Sequence, residues 1–300
     1  MDKSAPADLA PAAATDRRAP STSSGPTVGV ALGAGGARGL AHVHVVTALN
    51  ELGISPVAIA GASIGAIIGA GMAAGMTGAE IGDYAVETVG KRGPIANRLW
   101  SLRPASMRDA FGGFRIGHFN LERILKAFLP DAIPAEFAAL KIPLQVMVTD
   151  YYGQRSVVCE GGDLYQALAA SAAIPALFMP VVMNNRVMID GGILNPIPYE
   201  ALRPLADIVI GVDVVGGPEG DGTHMPTRIE SLFGSSQLMM QGQIALKLER
   251  SRPDILLRPA INSFGVMDFL KARQIIAATV ATKDELKRAL DARFTAILRG

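Results

Sequence analysis

Short apolar runs alternate with stretches of helical periodicity along this chain, and glycine or proline marks most of the boundaries. Thr27–Leu32 is one such run. It ends at Gly33-Ala34-Gly35-Gly36-Ala37-Arg38-Gly39, after which Leu40–Leu52 places Val45, Val46, Leu49 and Leu52 at helical spacing before Gly53, a usual C-terminal cap. Val57–Ala60 follows as a second buried strand, bounded by Ser55-Pro56, and Ile64–Ala74 as a helix of small and apolar residues. A strand–helix–strand unit with a right-handed crossover makes its two strands parallel, so the loops after both open at one carboxyl edge of the sheet.

The later pattern extends this α/β reading. Leu121–Phe128 predicts a helix, and Pro143–Thr149 and Arg155–Cys159 predict strands. Asp163 is placed to cap a helix that runs to Ala173 and stops at Ile174-Pro175. Pro180–Ile189 predicts a hairpin turning at Asn184-Asn185 and delivering Asp190. Ile208–Val215 and Asp254–Leu257 predict further parallel strands. Thr227–Arg250 predicts a helical stretch interrupted at Gly234 and Gly242, its methionines filling core rather than lining an acyl pocket. Thr282-Lys283-Asp284-Glu285 predicts a capping box that opens an amphipathic helix through Leu286, Leu290, Phe294 and Ile297.

Composition narrows the class. A hydrophobic content of 49% with 18% charged residues over 300 positions supports a sizeable core in one domain, residues 27–300, with core motifs at 28–213 and a C-terminal helical part at 214–300. Residues 1–26, rich in Ala, Pro, Ser and Thr, read as a disordered tail without the apolar region of a signal peptide. A net charge of +1 and the absence of a basic-aromatic helix argue against nucleic acid as a partner. The lone Cys159 suits a reducing, cytoplasmic setting, and no Cys/His cluster has metal-ligand spacing, so neither metal nor cofactor is expected. The uncharged run Val57–Met76 is split by its glycines into a strand and a helix too short to cross a bilayer. Residues 91–120 carry six basic side chains, one acid and interleaved Trp100, Met107, Phe111 and Phe114; they read as a packed crossover, with a lid or a peripheral contact at the inner face of a membrane as the sharper alternative.

Two loops carry candidate chemistry. Gly61-Ala62-Ser63-Ile64-Gly65 lies between a predicted strand and a predicted helix, the context of a nucleophile elbow, and makes Ser63 the candidate nucleophile. The loop at Gly33–Gly39 can aim the N–H groups of Gly35, Gly36 and Ala37 at an oxyanion, with Arg38 fixing the loop or adding positive charge. A dinucleotide site fits poorly, because the third glycine is displaced to Gly39 and no acid ends the second strand. The base is less obvious. His42 and His44 open a helix, His118 lies in the irregular segment and His224 in a glycine-rich loop. Only His224 follows Asp190, leaving a Ser-Asp-His order open beside the second option, in which Asp190 acts directly on Ser63.

These residues resemble the motifs of the patatin-like phospholipase family, and in particular of small bacterial members near the neuropathy-target-esterase branch. The likeness rests on Gly33–His42, on Gly61–Gly65, on Ala170-Ser171-Ala172-Ala173-Ile174-Pro175 with Phe178 and Pro180, and on Asp190-Gly191-Gly192 with Asn195-Pro196-Ile197-Pro198. It implies a three-layer α/β/α fold with a mainly parallel central sheet, and a lipid acyl hydrolase using a Ser-Asp dyad without histidine base, metal or cofactor. By the same likeness Ser63 is the nucleophile and Asp190 its proton acceptor. Gly35, Gly36, Ala37 and Arg38 form the oxyanion loop, and Gly33, Gly39, Gly61, Gly65, Gly191 and Gly192 support the motifs. Ala34 departs from the glycine many members carry there. Lipid or phospholipid is the implied substrate; a fold kept for regulation or binding with little catalysis is the alternative.

Overall fold

The computed structural model describes residues 25–91, 93, 121–223 and 225–299. Eight strands form one sheet: β1 (Val28–Leu32), β2 (Ala58–Ala62), β3 (Leu144–Asp150), β4 (Arg155–Cys159), β5 (Val181–Met183), β6 (Arg186–Asp190), β7 (Ile208–Val212) and β8 (Ile255–Leu257). The helices are α1 (His42–Glu51), α2 (Ile64–Ala73), α3 (Gly78–Thr88), α4 (Leu121–Phe128), α5 (Leu164–Ser171), α6 (Arg228–Arg250), α7 (Ala272–Ala278) and α8 (Ala281–Arg299).

β1, β2, β3, β7 and β8 pair in parallel, whereas β4, β5 and β6 join antiparallel. Both faces of the central strands are covered, so they read as continuous apolar runs. Val28, Val30 and Leu32 of β1 and Ile208, Ile210 and Val212 of β7 enter one large core with residues of α1, α2, α5 and α8. Ala31 and Val209, the intervening positions, enter a second core with Ile244 and Leu248 of α6. That alternation gives the three layers.

The pairing around β3 brings the candidate residues together. β2 pairs with residues 144–147 of β3, β4 with 146–150, and β6 with 148–150. A strand has two edges. Because β4 overlaps both partners, β2 and β6 must share the opposite edge, meeting end to end from opposite directions. Ala62, the last residue of β2, faces Met147, and Asp190, the last of β6, faces Val148. Ser63 and Asp190 therefore meet where the two strands stop. The hairpin feeding β6 turns as expected, with Asn184 and Asn185 both at left-handed φ (51° and 58°), the requirement of a tight two-residue turn.

Two helical expectations are corrected. α6 runs unbroken through Gly234 and Gly242 for 23 residues, started by a reciprocal Thr227–Glu230 capping box. A glycine in a helix costs about 1 kcal/mol, too little to break a helix anchored by Gln237, Ile244 and Leu248. Of its two methionines, Met240 packs against the second core as core filling would, whereas Met239 is exposed. The last helix begins at Ala281, one residue before Thr282, so Thr282 is a buried first-turn residue and not a cap. No helix among the described residues is long and apolar enough to cross a membrane. The basic-aromatic stretch falls almost wholly outside the described residues, as do positions 1–24 of the expected tail.

Candidate active site

The elbow is built by backbone geometry. Ser63 sits between β2 and α2 at φ 54°, ψ −125°, a region costly for a residue with a side chain, on the order of 1–3 kcal/mol. Such strain persists only where neighbours fix it. Gly65 lets the first turn of α2 close on β1: a Cβ there would stand 2.1 Å from the Leu32 carbonyl oxygen. The Ser63 N–H donates to Ser171 Oγ at 2.9 Å, and the Ser171 hydroxyl donates to the Met147 carbonyl at 2.6 Å. Ser171, fully buried at the end of α5, thus ties the elbow to β3.

Asp190 meets the Ser63 side chain directly. The Ser63 hydroxyl donates to Asp190 Oδ2 at 2.6 Å, and the Gly192 N–H donates to Oδ1 at 2.7 Å. The main chain is pinned as well, since Asp190 N–H donates to Ala173 O at 3.1 Å and Thr149 Oγ1 donates to Asp190 O at 3.0 Å. Burial pushes the Asp190 carboxyl up from 3.8 to about 6, against the Ser63 and Gly192 hydrogen bonds that favour its charged form.

The glycine loop lies beside them as a tight 3-10 turn over Gly36–Ala41. Gly33 N–H and Ala34 N–H donate to Val212 O and Pro196 O, fastening the loop to β7 and to the segment after Asp190. Gly36 is left-handed at φ 58°, with Val266 O 2.3 Å from where a Cβ would stand, so only glycine fits. Ala34 is accommodated because its methyl lies against Gly192, which has no Cβ to meet it. Two residues of the expected oxyanion set are otherwise employed. Ala37 N–H donates to Val266 O at 2.8 Å, and the buried Arg38 guanidinium donates to Phe264 O (2.6 Å) and Val215 O (2.5 Å). Arg38 fixes the loop rather than adding charge at Ser63. The N–H groups of Gly35, the N-cap, and Gly36, the first residue of the turn, stand ahead of its first internal hydrogen bond and have no acceptor within it.

The described histidines serve structure. His42 Nε2 donates to Gly33 O at 2.9 Å, its buried Nδ1 has no partner, and burial lowers it to about 4, so it stays neutral. His44 Nε2 lies 2.7 Å from Ile276 O. His118 and His224 fall outside the described residues. Cys159 is buried, its thiol pushed up to about 11 by burial, which removes it as a thiolate nucleophile near neutrality. Among the described residues no His, Cys, Asp and Glu group has the makings of a metal site.

Ser63 forms part of the wall of an apolar cavity of about 460 Å³. Ile64, Ile67, Ile68 and Gly71 line it along α2, facing Ile81 and Tyr84 of α3 and Leu121, Leu125 and Phe128 of α4, with Ile174, Phe178 and Met267 also on its wall. From Ser63 to Gly71 the helix rises roughly 12 Å. A second cleft, of about 640 Å³ and lined by Asp213, Glu219, Gln241 and Arg258, includes neither Ser63 nor Asp190, and its Arg258 is bonded to Asp213.

Sequence reasoning passed over Ser171 and Thr149 as site residues. The signals for Ser171 are its place in the motif Ala170–Pro175 and its lone hydroxyl in the apolar run Ala167–Ala173.

Comparisons with known proteins identify the family. The profile of the family described as patatin-like phospholipase matches residues 30–203, more than half of the chain. An uncharacterised NTE family protein of Mycobacterium tuberculosis (strain ATCC 25618 / H37Rv) is 36% identical over 201 residues, covering 66% of this chain and 52% of the relative. Lysophospholipase NTE1 of Cryptococcus neoformans var. neoformans serotype D (strain JEC21) is 31% identical over 200 residues, covering 63% of this chain and 11% of its own length. The chain thus spans about half of the mycobacterial relative and about a tenth of the fungal one. Among solved structures, VipD from Legionella pneumophila superposes with a TM-score of 0.44 at 15% identity, over 87% of this chain and 67% of that one. With a family profile that matches more than half of the chain and includes both the elbow and Asp190, the chain belongs to the patatin-like phospholipase family.

Proposed function

We propose that this protein is a serine lipid acyl hydrolase that cleaves carboxylic esters of long-chain acyl lipids, with Ser63 as nucleophile and Asp190 as its base. One observation carries the reading: the Ser63 hydroxyl donates to a buried carboxylate while standing on the wall of an apolar cavity. A carboxylate raised to about 6 is ionised near neutral pH and is a better proton acceptor than an exposed one.

In the proposed cycle Ser63 Oγ attacks the ester carbonyl as its proton passes to Asp190 Oδ2. The N–H groups of Gly35 and Gly36 stabilise the tetrahedral oxyanion, as preorganised donors at a helix start can. Collapse expels the alcohol, which takes the proton from Asp190. Asp190 then accepts a proton from water as it attacks the acyl-enzyme, and Ser63 Oγ is released with that proton. The acyl chain lies along α2, each buried methylene contributing about 0.8 kcal/mol before ordering costs. The similarity to the fungal lysophospholipase NTE1 supports a lysophospholipid among the substrates.

The test is hydrolysis of lysophosphatidylcholine together with fluorophosphonate labelling, wild type against Ser63→Ala. Labelling and turnover in wild type, both absent in the variant, are expected. A folded wild type that neither labels nor releases fatty acid would overturn the reading in favour of a non-catalytic member of the fold.

A further inference from the structure

Ser63 N–H, the nucleophile's own amide, is occupied by a side chain. Ser171 Oγ accepts it at 2.9 Å, and because the Ser171 hydroxyl proton is committed to Met147 O at 2.6 Å, an oxygen lone pair is directed at the elbow. Met147 is the β3 residue that faces Ala62, and its neighbour Val148 faces Asp190. The relay therefore ties the elbow to Met147, the β3 residue next to the one against which Asp190 is registered. Thr149 completes the tie from the other side through Asp190 O.

We infer that Ser171 is a positioning residue for the proposed reaction: it holds the main chain of Ser63 in its strained conformation and so sets the approach of the Ser63 hydroxyl to Asp190. The inference rests on the hydrolase reading above. At 0% exposure Ser171 leaves no room for water to replace its hydroxyl, so removal strands a buried donor at the elbow. A residue held at φ 54° then loses one of the contacts that over-determine it. A second consequence concerns the oxyanion. With its amide spent on Ser171, Ser63 contributes no N–H of its own to the oxyanion.

The experiment measures kcat and KM for lysophosphatidylcholine, together with amide hydrogen exchange at Ser63, in wild type, Ser171→Ala and Ser171→Cys. The expected result is a fall in kcat of roughly 10- to 100-fold in the alanine variant with KM within about twofold, since small misplacement of a reacting group costs that much. Ser63 amide exchange should accelerate in parallel. The cysteine variant, close in volume but a weak acceptor, should lose less. Should the alanine variant not fold, the cysteine variant decides alone. A folded variant with wild-type kcat, or one in which only KM or thermal stability changes, overturns the positioning role and leaves the hydrolase reading standing. A wild type without turnover overturns the hydrolase reading, and the positioning role falls with it.

Discussion

Asp150 and Asp190 are buried aspartates at the ends of paired strands, at 1% and 5% exposure, and their surroundings treat them in opposite ways. Burial alone would raise Asp150, yet the Gly153 N–H at 2.9 Å, Arg186 at 2.7 Å and Arg155 at 3.9 Å hold it below the ordinary carboxylate value. Among the described residues Asp190 has no cation against it. Its oxygens meet a hydroxyl and one amide, and burial wins, lifting it to about 6. A carboxylate satisfied by arginines is a structural tie; one left beside a serine without a counter-ion is poised to accept a proton.

The largest test of this contrast is exchange of each carboxylate for its amide. Asp190→Asn should lower turnover of lysophosphatidylcholine roughly 10³-fold, in the range for loss of a general base, while Asp150→Asn stays within about threefold of wild type. Equal losses would erase the distinction. The apolar side of Ser63 responds in a graded manner. Met76→Trp, at a half-buried position on the cavity wall, should slow a palmitoyl ester about tenfold and leave a butyryl ester unchanged, since only the longer chain loses buried methylenes. Unchanged discrimination would dissociate the cavity from acyl binding. Next in size is pH: kcat/KM should fall about tenfold for each unit below roughly 6 as Asp190 takes up a proton. A limb set near 4 would mean that another group governs.

Stability gives the smallest and most diagnostic difference, because the two signs oppose. Asp190 is raised when folded, so the native state keeps a proton that the unfolded chain releases between pH 3.8 and about 6. Its charge therefore weakens the fold progressively as pH rises through that window. At pH 8 Asp190→Asn should melt a few degrees above wild type, an advantage that vanishes below pH 3.8. Asp150 is lowered when folded, so its contribution is present above 3.8 and lost as pH falls. Asp150→Asn should thus melt a few degrees lower at pH 8, the gap closing in acid. Thermal melts of both variants from pH 3 to 8 read the two slopes, and parallel slopes would refute the contrast.

Much of the fold was legible because its signals are local. The apolar runs at β1, β2, β3 and β7, the Asp163 cap with its bond from Gln166 N–H, and the Asn184-Asn185 turn all follow from neighbouring residues. Reading failed where local signals are ambiguous. Gly234 and Gly242 looked like breaks, yet tertiary anchoring of α6 outweighs two glycines. Gly78 and Gly82 dilute the periodicity of α3, although its Thr77–Glu80 capping box was there to be read. Thr282 has the spacing of a cap, but the turn begins earlier.

At the site the division is sharper. The sequence by itself determined the residue types and backbone forms: a serine between glycines at the end of a strand, a glycine loop running into a helix, an aspartate before Gly191-Gly192. Only the tertiary structure decided that β2 and β6 end against the same edge of β3, that Ala37 N–H and Arg38 are spent on distant carbonyls, and that Ser171 reaches the Ser63 amide across 108 positions. The physical reason is range. Backbone conformation is fixed by neighbours in the chain, whereas a buried carboxylate's proton affinity and a hydroxyl's direction depend on which charges and dipoles packing brings within a few ångströms.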